Sequence, residues 1–231
     1  MGKLPKAIIV VHLYGQSANM NEIMKISNAY GVPVIEDAAE SIGAKYKGRH
    51  TGTSGKFGIF SFNGNKIITT SGGGALVSND KELIDKAKFL STQAKDPVPY
   101  YEHTEIGYNY RMSNILAGVG RGQLKVLDSR VNARREVFSN YKDSLKKINA
   151  IKWMPEPYED YSNRWLSVFI IDSSITSVSV KDVIRSLSLL GVEARHVWKP
   201  MHQQPVFIDA PYFSSGQESV TWVTFSACYS L

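Results

Sequence analysis

A chain of 231 residues that is 43% hydrophobic and 21% charged can bury a sizeable core and lacks the composition of extended disorder. Its net charge of +6 suits anionic small molecules, but Lys and Arg are scattered, which argues against nucleic acid as a partner. A single cysteine excludes an intramolecular disulfide framework and fits the cytoplasm, the 5 histidines have no metal-ligand spacing, and the longest apolar run, Ala7–Val11, is too short to cross a membrane.

In chain order, KAIIVVHLYG (residues 6–15) is a β-branched run that reads as a strand buried in a parallel sheet. A helix is predicted over residues 18–31: Asn19 or Asn21 can cap it, Ile23, Ile26 and Tyr30 recur at helical spacing, and Gly31 stands where a C-terminal cap belongs. VPVIEDAAES (32–41) is a second buried strand, which completes a βαβ unit. Turn residues without periodicity make residues 45–56 a loop, and FGIFSF (57–62) and GALVS (74–78) read as strands. Residues 79–91 form a helix capped by Asn79 or Asp80, with Leu83, Ala87 and Leu90 on one face. The Pro-bearing stretch 93–113 is irregular and long, as functional loops are.

From Ser113 to Lys147 an apolar spacing through Val119, Leu127, Val131 and Tyr141 predicts one long helix or two in tandem. The texture then changes: RWLSVFIID (164–172) is a strand, VSVKDVIRSLSLLG (178–191) a helix, and VEARHVW (192–198) another strand. The fold class is therefore α/β, with a mostly parallel sheet in a large domain over residues 1–130 and a smaller C-terminal α+β domain over residues 131–231.

The chemistry gathers around FSFNGNKIITTSGGG, residues 60–74. Asp37 ends its strand, where ligands of open α/β sheets bind; taken alone it reads rather as a helix cap, and Lys66 alone as a surface lysine. Pyridoxal phosphate needs an amine to join it covalently, a carboxylate for its pyridine nitrogen and donors for its phosphate. Lys66, Asp37 and Ser61 can supply these three, and Gly72, Gly73 and Gly74 either admit the cofactor close to the backbone or form a plain tight turn.

Three separated stretches carry a family resemblance: EDAAESIGAKYKGRHTGTSGKFGIFSFNGNKIITTSGGGALVSND, EIGYNYRMSNILAGVGRGQL and VWKPMHQQPVF. In this order they resemble the DegT-type nucleotide-sugar aminotransferases, enzymes of pyridoxal phosphate and fold type I, over residues 7–213. The resemblance implies that Lys66 joins the cofactor, Asp37 partners its pyridinium and Ser61 binds its phosphate. It implies further that Glu40 lies by the cofactor ring and the reacting sugar, and that Asn109 reaches across a homodimer interface to the neighbour's cofactor phosphate. Arg111, Trp198, Lys199 and His202 stand in motifs that border the substrate pocket, although Trp198 and His202 read equally as loop anchors. Lysine at position 66 separates the chain from dehydratase relatives that carry histidine there, so the expected reaction is transamination; the resemblance implies glutamate as donor and a nucleotide-linked keto-deoxysugar as acceptor, with Glu40 pointing to C4.

Against the resemblance, the family's chains are longer, and the phosphate-binding turn and stacking aromatic they hold before the position of residue 7 have no counterpart in MGKLPK. The large domain is thus expected to be partial, with an exposed sheet edge and an uncovered apolar face. Residues 214–231 lack the family's closing helix and strand and read as a tail of atypical register. The alternative expectation is a truncated member that keeps the motifs without turnover.

Overall fold

The computed structural model describes residues 2–213 and 224–227. The chain divides into two compact units, Met1–Arg135 with Glu156–Trp165, and Glu136–Pro155 with Leu166–Leu231.

In the first unit, β1 (Ile8–Val11) leads through a tight turn to α1 (Met20–Tyr30) and β2 (Val34–Asp37). Gly31 ends α1 in the left-handed conformation at φ 65°, as its position predicts. Asn19 occupies the N-cap position without a capping hydrogen bond, because its side chain accepts from the Tyr46 hydroxyl at 2.8 Å. The stretch 45–56 holds a short hairpin, β3 (Lys45–Tyr46) against β4 (Arg49–His50), where turn composition alone gave a loop. Next come β5 (Phe57–Ser61), β6 (Gly74–Val77) and α2 (Lys81–Ser91), whose cap Asp80 accepts the Leu83 N–H.

The sheet order is β1-β2-β5-β6. β1, β2 and β5 run parallel and β6 pairs antiparallel with β5, so Val11, Asp37 and Ser61 all lie at one C-terminal edge. Alternation sorts the side chains by face. Val10 and Val34 are buried with Met20 of α1, whereas Ile9, Val11, Ile59 and Leu76 are exposed on the other face. The apolar spacing after Ser113 resolves into two helices, α3 (Asn114–Leu124) and α4 (Leu127–Ser144), and α4 crosses from the first unit into the second.

The second unit pairs β7 (Ile151–Trp153) with β8 (Ser167–Ile171), and β8 with β9 (Thr224–Ala227), all antiparallel. Between β8 and β9 in sequence lies α5 (Val180–Leu189), opened by a capping box of Ser179 and Asp182. Trp153 packs edge-to-face on Phe138 and Phe169. Two expectations fail here. VEARHVW forms no strand: the Val192 N–H closes the end of α5 on Leu187 O, and Ala194 is buried beside Val180 instead of joining a ladder. The strand in RWLSVFIID starts only at Ser167, because Arg164 has φ 49° and turns the chain before it can pair. Apart from Thr224–Ala227, the atypical tail lies outside the described residues.

Candidate cofactor and substrate site

The C-terminal edge of the parallel strands is where the chain makes its tightest turns. After β1, Tyr14 (φ 54°) and Gly15 (φ 89°) both take left-handed conformations. The turn aims the Tyr14 N–H at Glu40 Oε2, 2.7 Å away. A Cβ on Gly15 would stand 1.8 Å from Asn163 Oδ1, so only glycine fits there. After β2, Asp37 Oδ1 accepts the Ala39 N–H at 3.1 Å, and the chain turns through Ala38 to the buried Glu40.

Lys66 sits on the loop between β5 and β6. Hydrogen bonds from Phe62 N to Gly73 O and from Thr70 N to Phe62 O, both 3.0 Å, close this loop at its base. Gly74 faces Ser61 in the ladder, and a Cβ there would meet Phe60 O at 2.4 Å; Gly73 takes a left-handed conformation at φ 90°, whereas Gly72 stands in open space. Lys66 Nζ lies 3.8 Å from Glu40 Oε1, with the two side chains 12% and 6% exposed. It also lies 4.2 Å from the centre of the Trp165 ring.

Burial governs both charges. It pushes the Lys66 ammonium below the usual lysine range, against the pull of Glu40 and Asp37. It likewise pushes the Glu40 carboxyl up, against the Tyr14 N–H and Lys66. Each shift favours the uncharged form, so this amine is readier to act as a nucleophile than a surface lysine.

The structure thus brings Lys66, Glu40 and Asp37 into one electrostatic group. Ser61 stands at the same sheet edge, its Oγ accepting the Asn63 N–H at 3.3 Å. Asn109 pairs with Thr92 in an isolated bridge along the end of α2, and its side chain and that of Arg111 are exposed. Met112, next to Arg111, reaches the lysine loop: a Cβ at Gly73 would lie 2.8 Å from its Cε. In the second unit Trp198 is 53% exposed, Lys199 accepts a hydrogen bond at its carbonyl from Gln204, and His202 stacks on Tyr212 with ring centres 3.9 Å apart.

Three contributors escaped the sequence reading. Glu36 is fully buried and accepts from His12 Nε2 at 2.9 Å and from the backbone N–H groups of Gly52, Ser54 and Gly55. Because His12 Nδ1 accepts the Ala18 N–H, the ring proton stands on Nε2 and faces Glu36. Burial by itself would raise the Glu36 carboxyl, but His12 and these N–H groups outweigh it and hold it below the usual carboxylate range. The other two are Asn163 and Trp165. Asn163 Nδ2 donates to the carbonyls of Glu40 (2.8 Å) and Ile42 (2.9 Å), and Trp165 Nε1 donates to Asn65 O at 2.7 Å. Arg135 and Arg164, both paired with Glu156, anchor the Glu156–Trp165 segment that carries them. The turn-forming pair Ser162–Asn163 just ahead of a tryptophan was the available signal.

The donor set matches what pyridoxal phosphate requires: a buried primary amine, a strand-end carboxylate and a hydroxyl beside a sterically obligatory glycine. Among the described residues there is no cluster of three metal-ligating side chains and no helix long and apolar enough to cross a membrane.

Comparison with known proteins agrees with this geometry. The chain is 56% identical over 213 residues to EpsN of Bacillus subtilis, described as a pyridoxal phosphate-dependent aminotransferase, a match covering 92% of this chain and 54% of that protein. It is 38% identical over 205 residues to GDP-perosamine synthase of Caulobacter vibrioides, covering 87% of this chain and again 54% of the relative. The structure of Helicobacter pylori PseC, an aminotransferase of pseudoaminic acid biosynthesis, superposes with a TM-score of 0.86 at 25% identity, over 96% of this chain and 61% of PseC. The chain therefore spans about half the length of the curated relatives it matches. A family profile matches residues 2–231, and by that match the chain belongs to the DegT/DnrJ/EryC1/StrS aminotransferase family.

Proposed function

We propose that the chain carries the lysine-bearing core of a pyridoxal-phosphate aminotransferase that delivers an amino group to C4 of a nucleotide-linked keto-deoxysugar, in the biosynthesis of a cell-surface glycan. One observation carries the reading: Lys66, buried and biased toward its uncharged form, shares the C-terminal edge of the parallel strands with Asp37, Glu40 and Ser61. Membership of the family and the nucleotide-linked amino sugar in the name of the Caulobacter relative support it.

When bound, pyridoxal phosphate supplies the electron sink that lets a proton leave the carbon bearing the amino group. Lys66 would hold the cofactor covalently and, as a free amine, would serve as general base and then, protonated, as general acid. Asp37 keeps the pyridine nitrogen protonated and Ser61 donates to the phosphate. Glu40, 3.8 Å from the lysine head, would lie by the cofactor ring and the reacting sugar as the resemblance implies, and the choice of C4 rests on it. In net terms the nitrogen leaves glutamate as its 2-oxo acid forms, and the sugar's carbonyl carbon receives it. Asn109 of a second copy completes the phosphate site in a homodimer, with Arg111, Trp198, Lys199 and His202 at the substrate. The single cysteine favours the cytoplasm as the place of reaction.

The purified chain, supplied with the cofactor, glutamate and a nucleotide-linked 4-keto-6-deoxyhexose, is expected to form an amino sugar detectable by mass spectrometry. Lys66→Ala abolishes that product. Cofactor uptake without product would favour the second reading, a family member that keeps the motifs without turnover.

A further inference from the structure

The geometry points to Trp165 as a positioning residue for Lys66: its indole face holds the lysine head opposite Glu40, while its N–H holds the loop on which the lysine rides. The inference rests on the assignment of Lys66 above.

Trp165 is 3% exposed, and its ring centre lies 4.2 Å from Lys66 Nζ. At that distance the negative face of an indole attracts an ammonium, most strongly where water is excluded. The same side chain reaches past the lysine to Asn65, one residue before it, and donates to its carbonyl at 2.7 Å. One residue thus fixes the lysine twice, at its head and at its backbone.

The short segment before the tryptophan extends the hold to the partner carboxylate. Asn163 Oδ1 accepts the backbone N–H of Trp165 at 2.9 Å, and its Nδ2 donates to the carbonyls of Glu40 and Ile42. Asn163 therefore ties the Glu40 turn to the residue that holds Lys66. Arg164, at φ 49°, supplies the bend that lets alternate residues face these two loops. The indole thereby gives the Lys66 head a defined seat whenever it is free of the cofactor. Glu40 by itself does not provide this, because at 3.8 Å the ion pair is too long for a hydrogen bond.

The groups that bear on the Lys66 charge are Glu40, Asp37 and the indole face. With both carboxylates left in place and an apolar side chain still covering the amine, replacing the indole face withdraws a contribution that favours the charged form. The test follows the rate of Lys66 acetylation by acetic anhydride against pH in the full chain without cofactor, read on the Lys66 peptide by mass spectrometry and normalised to exposed Lys56. Trp165→Leu is expected to lower the titration midpoint of Lys66 by about half a pH unit or more, and Trp165→Phe by a smaller amount, since a phenyl face binds cations more weakly than indole. Midpoints that stay level or rise in either variant overturn the proposal, and the conservative Phe variant keeps the test decisive if the Leu variant does not fold. This ordering is read without turnover. A failed aminotransferase reading would leave it intact, and cofactor capture by Lys66 with no midpoint change would refute the role of Trp165 alone.

Discussion

At the residue scale, two buried carboxylates four positions apart in sequence have opposite fates. Glu40 has a single backbone donor, at Tyr14, and a distant ammonium, so burial wins and its carboxyl is pushed up. Glu36 has a ring N–H and three backbone donors, which overcome burial and hold it down. A carboxylate held below its unfolded value of 4.5 stabilises the fold above about pH 4.5, and that contribution is lost as the pH falls through the lower folded value. Glu36→Ala should leave His12 and three N–H groups without their acceptor and cost about 3–5 kcal/mol in urea denaturation at neutral pH. The difference between variant and parent should shrink in acid. Lys66 and Asp37 were legible in the sequence because cofactor chemistry calls for those residue types near glycines and strand ends. Glu36 was not, since its partners come from two loops, after β1 and before β5, that no local spacing connects.

At the level of elements, caps and turns account for what could be read. Asp80 accepts the Leu83 N–H at the start of α2, whereas Asn19, equally placed by composition, spends its oxygen on Tyr46. Asp80→Ala is therefore expected to cost about 1 kcal/mol of stability, and Asn19→Ala less, as compared by thermal unfolding. Gly15→Ala should cost more than either, because it forces a Cβ into left-handed backbone and onto Asn163, displacing the residue that supports Glu40. The helices and buried strands announced themselves by period. The hairpin β3–β4 and strand β7, only two and three residues long, gave no period to read, and VEARHVW had strand composition but spends its contacts on α5.

For the whole molecule, the sheet of the first unit is finished on one face only. Ile9 (68% exposed), Val11, Ile59 and Leu76 present apolar surface opposite the face that α1 covers. Such a surface drives association. The chain alone is expected to bind a hydrophobic dye and to self-associate in light scattering, and Ile9→Lys combined with Leu76→Lys should reduce both; unchanged association would mean that this face is not the cause. The family and the βαβ layout were legible from motif order, whereas the segment Glu156–Trp165, which returns to the first unit to seat Lys66, depends on long-range pairing that sequence order hides. The claim on which the rest depends is that Lys66 is the residue that takes up pyridoxal phosphate, and borohydride reduction of the cofactor-treated chain followed by peptide mass mapping tests it directly. One dominant pyridoxyl adduct is expected, on Lys66, formed with a pH midpoint below the ordinary lysine value of 10.5. Adducts spread over exposed lysines such as Lys56, with none on Lys66, would contradict it.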